Sequence, residues 1–387
     1  MTAKDTRLTE VGRDPAANHG IVNPPVYHAS TIVFPTLAAL EAADLTPYDG
    51  TRYGRRGTPT TFALEGAVAA LEGGWRSIAV PSGLAAITAS LLAFLKAGDH
   101  LLMVDSVYAP TRRFCDTVMA GLGVETTYYD PMADIAPLLR PNTRVVFAES
   151  PGSLTFEVQD IPRTAAAARA AGAVTVMDNT WSAGLHFAPF DHGVDVSIQA
   201  ATKYIVGHSD VMLGTITTTE AAFLPVRRAT SLLGLCAGPD DCYLALRGLR
   251  TLGVRLRRHE ETSLKLAGWL AERREVVRVL HPALPDCPGH AVWKRDFTGG
   301  NGLLSIVLDD VPKRALAAML DGLKLFAMGY SWGGYESLVV PFDPRKARTA
   351  TAWTGPGTCL RLHCGLENAD DLIADLEAGF SRLAAAS

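Results

Sequence analysis

Lysine is scarce in this chain, eight residues against 28 arginines, and one lysine, Lys203, directly follows the apolar run VSIQAAT. Small apolar neighbours on one side and Tyr204-Ile205-Val206 on the other bury its stem. A desolvated lysine has a lowered pKa and acts as an amine nucleophile that condenses with carbonyl compounds. Asp178 closes an earlier apolar run, AVTVMD. An acid at the end of an apolar parallel strand lies at the carboxyl edge of a sheet, where open α/β sheets bind ligands. The plainer alternative is a turn acid capping the NTWSAG segment. Taken together, the two residues match what pyridoxal 5′-phosphate (PLP) requires. An amine holds its aldehyde, and a carboxylate keeps its pyridine nitrogen protonated so that the ring serves as an electron sink.

A third part is the turn Pro81-Ser82-Gly83-Leu84-Ala85-Ala86. Gly83 lets backbone approach an anion, and a following helix offers free N–H groups and its positive dipole end to a phosphate. Tyr108, just after the run HLLMVD, is placed to stack on a flat ring. Neither GxGxxG nor GxxxxGK[ST] occurs, which leaves dinucleotide and nucleoside-triphosphate sites without support. The six cysteines have no CxxC spacing and read as buried free thiols. The ten histidines form no HxH or HExxH pair, so no metal is expected.

The elements that must position these residues follow from periodicity. Short β-rich runs recur: SIAV, HLLMV, TRVVFAE, AVTVMD, DVSIQA and VMLGTITT. Between several of them lie alanine-rich helical stretches such as GLAAITASLLAFLKAG and RTAAAARAAG. Nearly continuous apolar strands separated by helices predict an α/β fold with a mostly parallel central sheet covered on both faces. Residues 1–55 read as an irregular arm, broken by Pro24, Pro25, Pro35 and Pro47 and reaching toward a neighbouring subunit. Residues 56–249 form the large domain. Residues 250–387 form a smaller α+β domain that opens on a long arginine-rich helix, LRTLGVRLRRHEETSLKLAGWLAERR. With 387 residues, 48% hydrophobic and 20% charged, the chain is globular and long enough for more than one core. Its net charge of −4 disfavours nucleic acid and anionic membrane as partners. No run of about 18 uncharged apolar residues predicts a spanning helix. The N-terminus MTAKDTRLTEVGRD lacks the apolar core of a secretory signal, so a cytoplasmic location is expected.

The blocks DNTW, SIQAATKYIVGHSDVMLG, YSWGGYESL and RLHCGLEN, together with RYGRRGTPT and AESPGS, resemble the Cys/Met-metabolism family of PLP enzymes. Within it they are most similar to the bacterial cystathionine β-lyase branch. The resemblance implies PLP fold-type I (aspartate aminotransferase-like). It implies that Lys203 carries the cofactor and moves protons, that Asp178 pairs with the ring nitrogen, and that Tyr108 stacks over the ring. Ser82, Gly83, Leu84 and Thr202 then hold the phosphate, and Tyr53 and Arg55 reach it from a neighbouring subunit. Arg361 grips the substrate α-carboxylate, while Tyr330, Ser331 and Trp332 line the substrate pocket. Two positions depart from the wider family: Ala200 stands where many relatives have serine, and Pro151-Gly152-Ser153-Leu154 where many have Pro-Thr-Asn-Pro. Both departures resemble the β-lyase branch.

The activity so implied is α,β-elimination of cystathionine by a cytoplasmic homo-oligomer, a tetramer built from two dimers. The bulky, less polar wall of Tyr330 and Trp332 is expected to favour cleavage at Cβ. The alternatives are a cysteine or alkyl-cysteine β-lyase, or a γ-acting lyase or synthase on the same scaffold. A non-catalytic PLP-binding protein is disfavoured by the absence of a fused DNA-binding segment.

Overall fold

The computed structural model describes residues 3–46, 48–346 and 348–387. Pro47, expected to interrupt the arm, lies outside the described residues. Seven strands form the larger sheet: β1 (Arg76–Val80), β2 (His100–Val104), β3 (Glu125–Tyr129), β4 (Thr143–Glu149), β5 (Val174–Asp178), β6 (Val196–Gln199) and β7 (Gly214–Thr218). Their order is β1-β7-β6-β5-β4-β2-β3, and β7 alone runs against the rest. The mostly parallel α/β sheet expected from the apolar runs is therefore present. The carboxyl ends of β1, β2, β4, β5 and β6 share one edge.

The arm is less irregular than its prolines suggest, for it holds α1 (Lys4–Glu10) and α2 (Leu37–Leu45). Helix α1 is fastened to its own chain: Leu8 is buried, and Arg250 Nη1 donates to the carbonyls of Leu8 and Val11. Next comes α3 (Pro59–Glu72), set by a Thr58/Thr61 capping box, Pro59 in its first turn and Gly73 in the left-handed conformation at its end. Helix α4 (Gly83–Phe94) starts where the Ser82 hydroxyl oxygen accepts from the Ala85 N–H. Helices α5 (Ala109–Phe114) and α6 (Ile161–Ala170) also connect strands of this sheet, and α7 (Glu220–Leu232) packs against α4.

The long arginine-rich helix read from sequence is α9 (Leu252–Ala271), and it follows directly on α8 (Pro239–Leu249). The chain turns at Arg250–Thr251 because the Arg255 guanidinium takes the Gly248 carbonyl at 2.9 Å. The two ends of α9 serve different cores. Leu252 and Leu256 pack with Leu64, Leu246 and Leu249, while Leu266, Ala267 and Leu270 pack against the smaller sheet. That sheet holds β8 (Val276–Leu280), β9 (Leu303–Leu308), β10 (Ala327–Met328), β11 (Leu338–Phe342) and β12 (Cys359–His363), in the order β10-β11-β12-β9-β8. The helices α10 (His290–Asp296), α11 (Lys313–Leu320) and α12 (Ala369–Ala386) complete this part.

A segment between β11 and β12 crosses to the large sheet and is clasped there by one carboxylate. The buried Asp105, just after β2, accepts from the N–H groups of Thr349, Ala350 and Thr351 at 2.9–3.1 Å and from Arg112 at 2.6 Å. Arg348 pairs with Glu157 at 3.0 Å beside it. Burial pushes the Asp105 carboxyl up, but these donors outweigh it and hold the pKa below the ordinary value. A depressed folded-state pKa stabilises above the unfolded value of about 4 and is lost as pH falls through the folded one. Asp105→Ala is thus expected to cost about 3–5 kcal/mol in denaturant unfolding at pH 7, because it strands buried donors. The difference from the parent should shrink in acid. A change below about 0.5 kcal/mol, the usual scatter of surface substitutions, is the outcome that counts against the clasp.

Candidate active site

The shared strand edge and β12 enclose a cavity of about 360 Å³. Each wall comes from a strand end. Beyond β1, Ser82 uses its oxygen as an acceptor for Ala85, so its hydroxyl proton is left to donate to an anion. Gly83 opens α4 there, and a Cβ at this position would lie 2.5 Å from the Ala200 Cβ. The close approach of residue 200 is therefore what requires glycine at 83. Beyond β2, Tyr108 caps α5, and its N–H donates to Glu149 Oε2 at 2.7 Å.

At the end of β5, Asp178 accepts both the N–H and the hydroxyl of Thr180 on Oδ1, at 3.0 and 2.5 Å. Oδ2 is left for a donor in the cavity that Asp178 lines. Burial raises the Asp178 pKa, while the Thr180 bonds and Lys203 pull it down and Glu72 pushes it up. Lys203 follows β6. Burial, then the positive charge of Arg361, lower its amine to about 8, with Asp178 opposing. Its Nζ donates to Ser331 Oγ at 2.6 Å, and the Arg361 guanidinium, from β12, donates to the Ser331 carbonyl at 2.7 Å. Trp332 lies beside the amine, with its ring centroid 5.2 Å from Nζ.

Of the residues singled out from sequence, Ser82, Gly83, Leu84, Tyr108, Asp178, Thr202, Lys203, Trp332 and Arg361 line this one cavity. Ser331 bridges Lys203 and Arg361 behind it. Thr202 lines the cavity with its hydroxyl bonded to backbone, donating to the Leu213 carbonyl at 3.1 Å and accepting from the Leu213 N–H at 2.9 Å. Its hydroxyl proton is engaged with backbone. Tyr330 is a correction: its side chain is 93% exposed and does not line the cavity. Ser331 is left-handed at φ 83°, and this turn brings Ser331 to Lys203 and Arg361 and Trp332 to the cavity, while Tyr330 is exposed. Of the Tyr330–Trp332 pair, Trp332 alone lines the cavity. Tyr53 and Arg55 lie at a separate concavity with Ser30 and Cys236, and Arg55 Nη1 donates to the Ser231 carbonyl at 2.9 Å.

Sequence reasoning missed Glu149, which lies in register with Asp178 on the neighbouring strand. Burial and Asp178 raise its pKa well above the usual range, against the Tyr108 N–H and Arg348. The signal was available, because Glu149 ends its apolar strand just as Asp178 does.

The model of the Cys/Met metabolism PLP-dependent enzymes matches residues 5–381. The chain belongs to that family. The cystathionine beta-lyase of Escherichia coli K12 is 48% identical over 98% of both chains. That of Salmonella typhimurium is 48% identical over 99% of this chain and all of the other. A cystathionine gamma synthase from Xanthomonas oryzae, solved with aminoacrylate and cysteine, superposes with a TM-score of 0.92 at 32% identity over the full length of both. As a member of the family the chain is a PLP-dependent enzyme, and its cavity fits the cofactor. A free helix N-terminus and the Ser82 hydroxyl suit a phosphate. Across the cavity, a buried amine of lowered pKa and a carboxylate with one free oxygen suit the aldehyde and the ring nitrogen. Among the described residues no cluster of metal-ligating side chains competes with this reading.

Proposed function

We propose that the chain catalyses the α,β-elimination of L-cystathionine, with water, to homocysteine, pyruvate and ammonia. The observation that carries this reading is Ser331, whose hydroxyl holds the Lys203 amine and whose carbonyl holds the Arg361 guanidinium. A base and a carboxylate anchor are thereby fixed one residue apart, the geometry needed to strip the α-proton from a held amino acid. The names carried by relatives 48% identical over nearly the whole chain support cystathionine as the substrate.

When bound, PLP supplies a sink for the electron pair left on Cα. Lys203 would hold the cofactor's aldehyde through Nζ, and with a substrate in place the same amine would take the α-proton. A pKa near 8 suits that step at neutral pH. Asp178 Oδ2 holds a proton on the ring nitrogen. Arg361 grips the α-carboxylate in a bidentate fork. Ser82 and the N–H groups that open α4 take the phosphate, Tyr108 stacks over the ring, and Leu84 and Trp332 exclude water. The sulfur leaves from Cβ as the thiol, and the released aminoacrylate hydrolyses.

The enzyme acts in the cytoplasm as a homo-oligomer, a dimer of dimers in which Tyr53 and Arg55 complete the phosphate site of a neighbour. Supporting this is the arm itself, where Ile21, Val22, Val33 and Leu45 are exposed apolar side chains. Residues 56–249 act as the cofactor-holding domain and 250–387 as the domain that brings Arg361. The product assay tests the reading: pyruvate and homocysteine from cystathionine are expected in equal amounts. Cysteine and 2-oxobutanoate as main products place the chain among the γ-acting enzymes instead.

A further inference from the structure

The residues that hold Lys203 and Arg361 depend on a turn that would be free to shift by itself. Ser331 sits in the left-handed region, and Gly333 does too, at φ 91°. A Cβ on Gly333 would lie 2.9 Å from the Lys203 carbonyl carbon and the Tyr204 nitrogen, so the turn lies directly on the lysine's own backbone. What fixes it from below is a histidine. His363 is fully buried, and its Nε2 accepts the Gly333 N–H at 3.0 Å. The Gly334 carbonyl oxygen lies 3.2 Å from the same nitrogen. The Gly333 N–H needs an unprotonated Nε2 and the Gly334 carbonyl a protonated one; we assign the first, the shorter contact, which makes the ring the neutral Nδ1–H tautomer. Burial, with His259 and the nearby Arg361 and Lys203 charges opposing a further cation, keeps the imidazole neutral.

Two more features point to a role beyond packing. His363 Nδ1 is buried without a hydrogen-bond partner, a feature that in a native core calls for an explanation. An apolar side chain of similar size would avoid that orphaned donor. The ring is also wedged among Tyr204 and His259, with centroids 5.9 and 5.3 Å away, and Tyr204 in turn touches Trp332 at 5.4 Å. His363 is two residues from Arg361 on β12 and lies on the same face of the strand. One strand therefore carries both the carboxylate anchor and the acceptor that sets the turn bonded to it.

We propose that His363 is a positioning residue. By accepting the Gly333 N–H it fixes the 331–333 turn, and through Ser331 it holds Lys203 and Arg361 in register for an amino-acid substrate. This rests on the reading of Lys203 as base and Arg361 as carboxylate anchor.

The test compares His363→Gln, whose Oε1 replaces Nε2 as acceptor, with His363→Leu, which fills the space without one. The first readout is the affinity of the PLP-loaded protein for L-alanine, followed by cofactor absorbance; alanine has the α-carboxylate and no β-leaving group. The second is the rate at which the cofactor-free protein captures PLP. His363→Leu is expected to weaken alanine binding and to slow capture at least tenfold each. His363→Gln should stay within threefold of the parent in both, with thermal midpoints of the two variants close together. Equal behaviour of Leu and Gln, or no change in Leu, overturns the proposal. If His363→Leu does not fold, His363→Asn withdraws the acceptor by one bond and is read by the same measurements and limits. Failure of the parent to cleave cystathionine would sink the substrate reading alone, because alanine affinity and cofactor capture still decide His363.

Discussion

Replacing Lys203 by alanine is expected to lower kcat for cystathionine by about four orders of magnitude, the upper end for loss of a positioned proton-transfer group. The fold should survive. The Lys203 amine makes its hydrogen bond to Ser331 at the cavity, and the surrounding backbone is held by independent bonds such as Val206 N–H to the Ala201 carbonyl. The variant's circular dichroism and thermal midpoint should therefore match those of the parent. The same variant tests the assignment of Tyr53 and Arg55. Mixed under subunit exchange with an inactive Arg55→Ala chain, it should yield hybrid oligomers with part of the activity restored. A well-folded Lys203→Ala protein with parental turnover would refute the assignment of the whole cavity. A dead mixture after confirmed exchange would restrict each site to a single chain.

The strands of the large sheet were legible because both of its faces are covered. HLLMV and AVTVMD are apolar at nearly every position, and β2 and β5 are buried almost throughout. The strand ETTYY was not legible. As edge strand β3 it is half exposed and polar, and it carries no periodic signal that separates it from a loop. The start of α9 was legible to within three residues, since the arginine-rich run opens at Leu249. The turn before it is held by Arg255 reaching back to Gly248.

At the site, residue type and strand position were enough to bring out Lys203, Asp178 and the Ser82–Gly83 turn. The direction of Tyr330 was not, since it depends on the left-handed Ser331, a conformation that no serine announces. Glu149 had a signal in its place at the end of an apolar strand, but its pairing with Asp178, like the role of His363, is visible only when neighbours distant in sequence are placed beside it. Their chemistry lies in a shared edge, Asp178 in one case and Gly333 in the other.

Asp178→Asn is expected to lower kcat about a hundred- to a thousandfold, the range for removing one preorganised electrostatic partner. The fold and much of the cofactor binding should be retained. The substitution leaves an oxygen to accept from Thr180, but it removes the negative charge that faces the ring nitrogen and lies near Lys203. That charge does two things in the parent. It keeps a proton on the ring nitrogen, and it supports the Lys203 amine against burial and the Arg361 charge, which together bring it to about 8. Without the carboxylate the second effect disappears, so the amine pKa in the cofactor-free protein should fall below the parent's. Amine reactivity toward an aldehyde probe, followed against pH, reports this directly, and its inflection should move to lower pH. The sign matters, because a plain turn cap at position 178 would leave both the inflection and kcat in place. Glu149 is poorly suited to replace the lost charge: burial still pushes its carboxyl pKa up and disfavours the anion, and the Tyr108 N–H already occupies Oε2. Parental turnover with an unmoved inflection would reduce Asp178 to a turn residue and leave the cavity without its electron-sink partner.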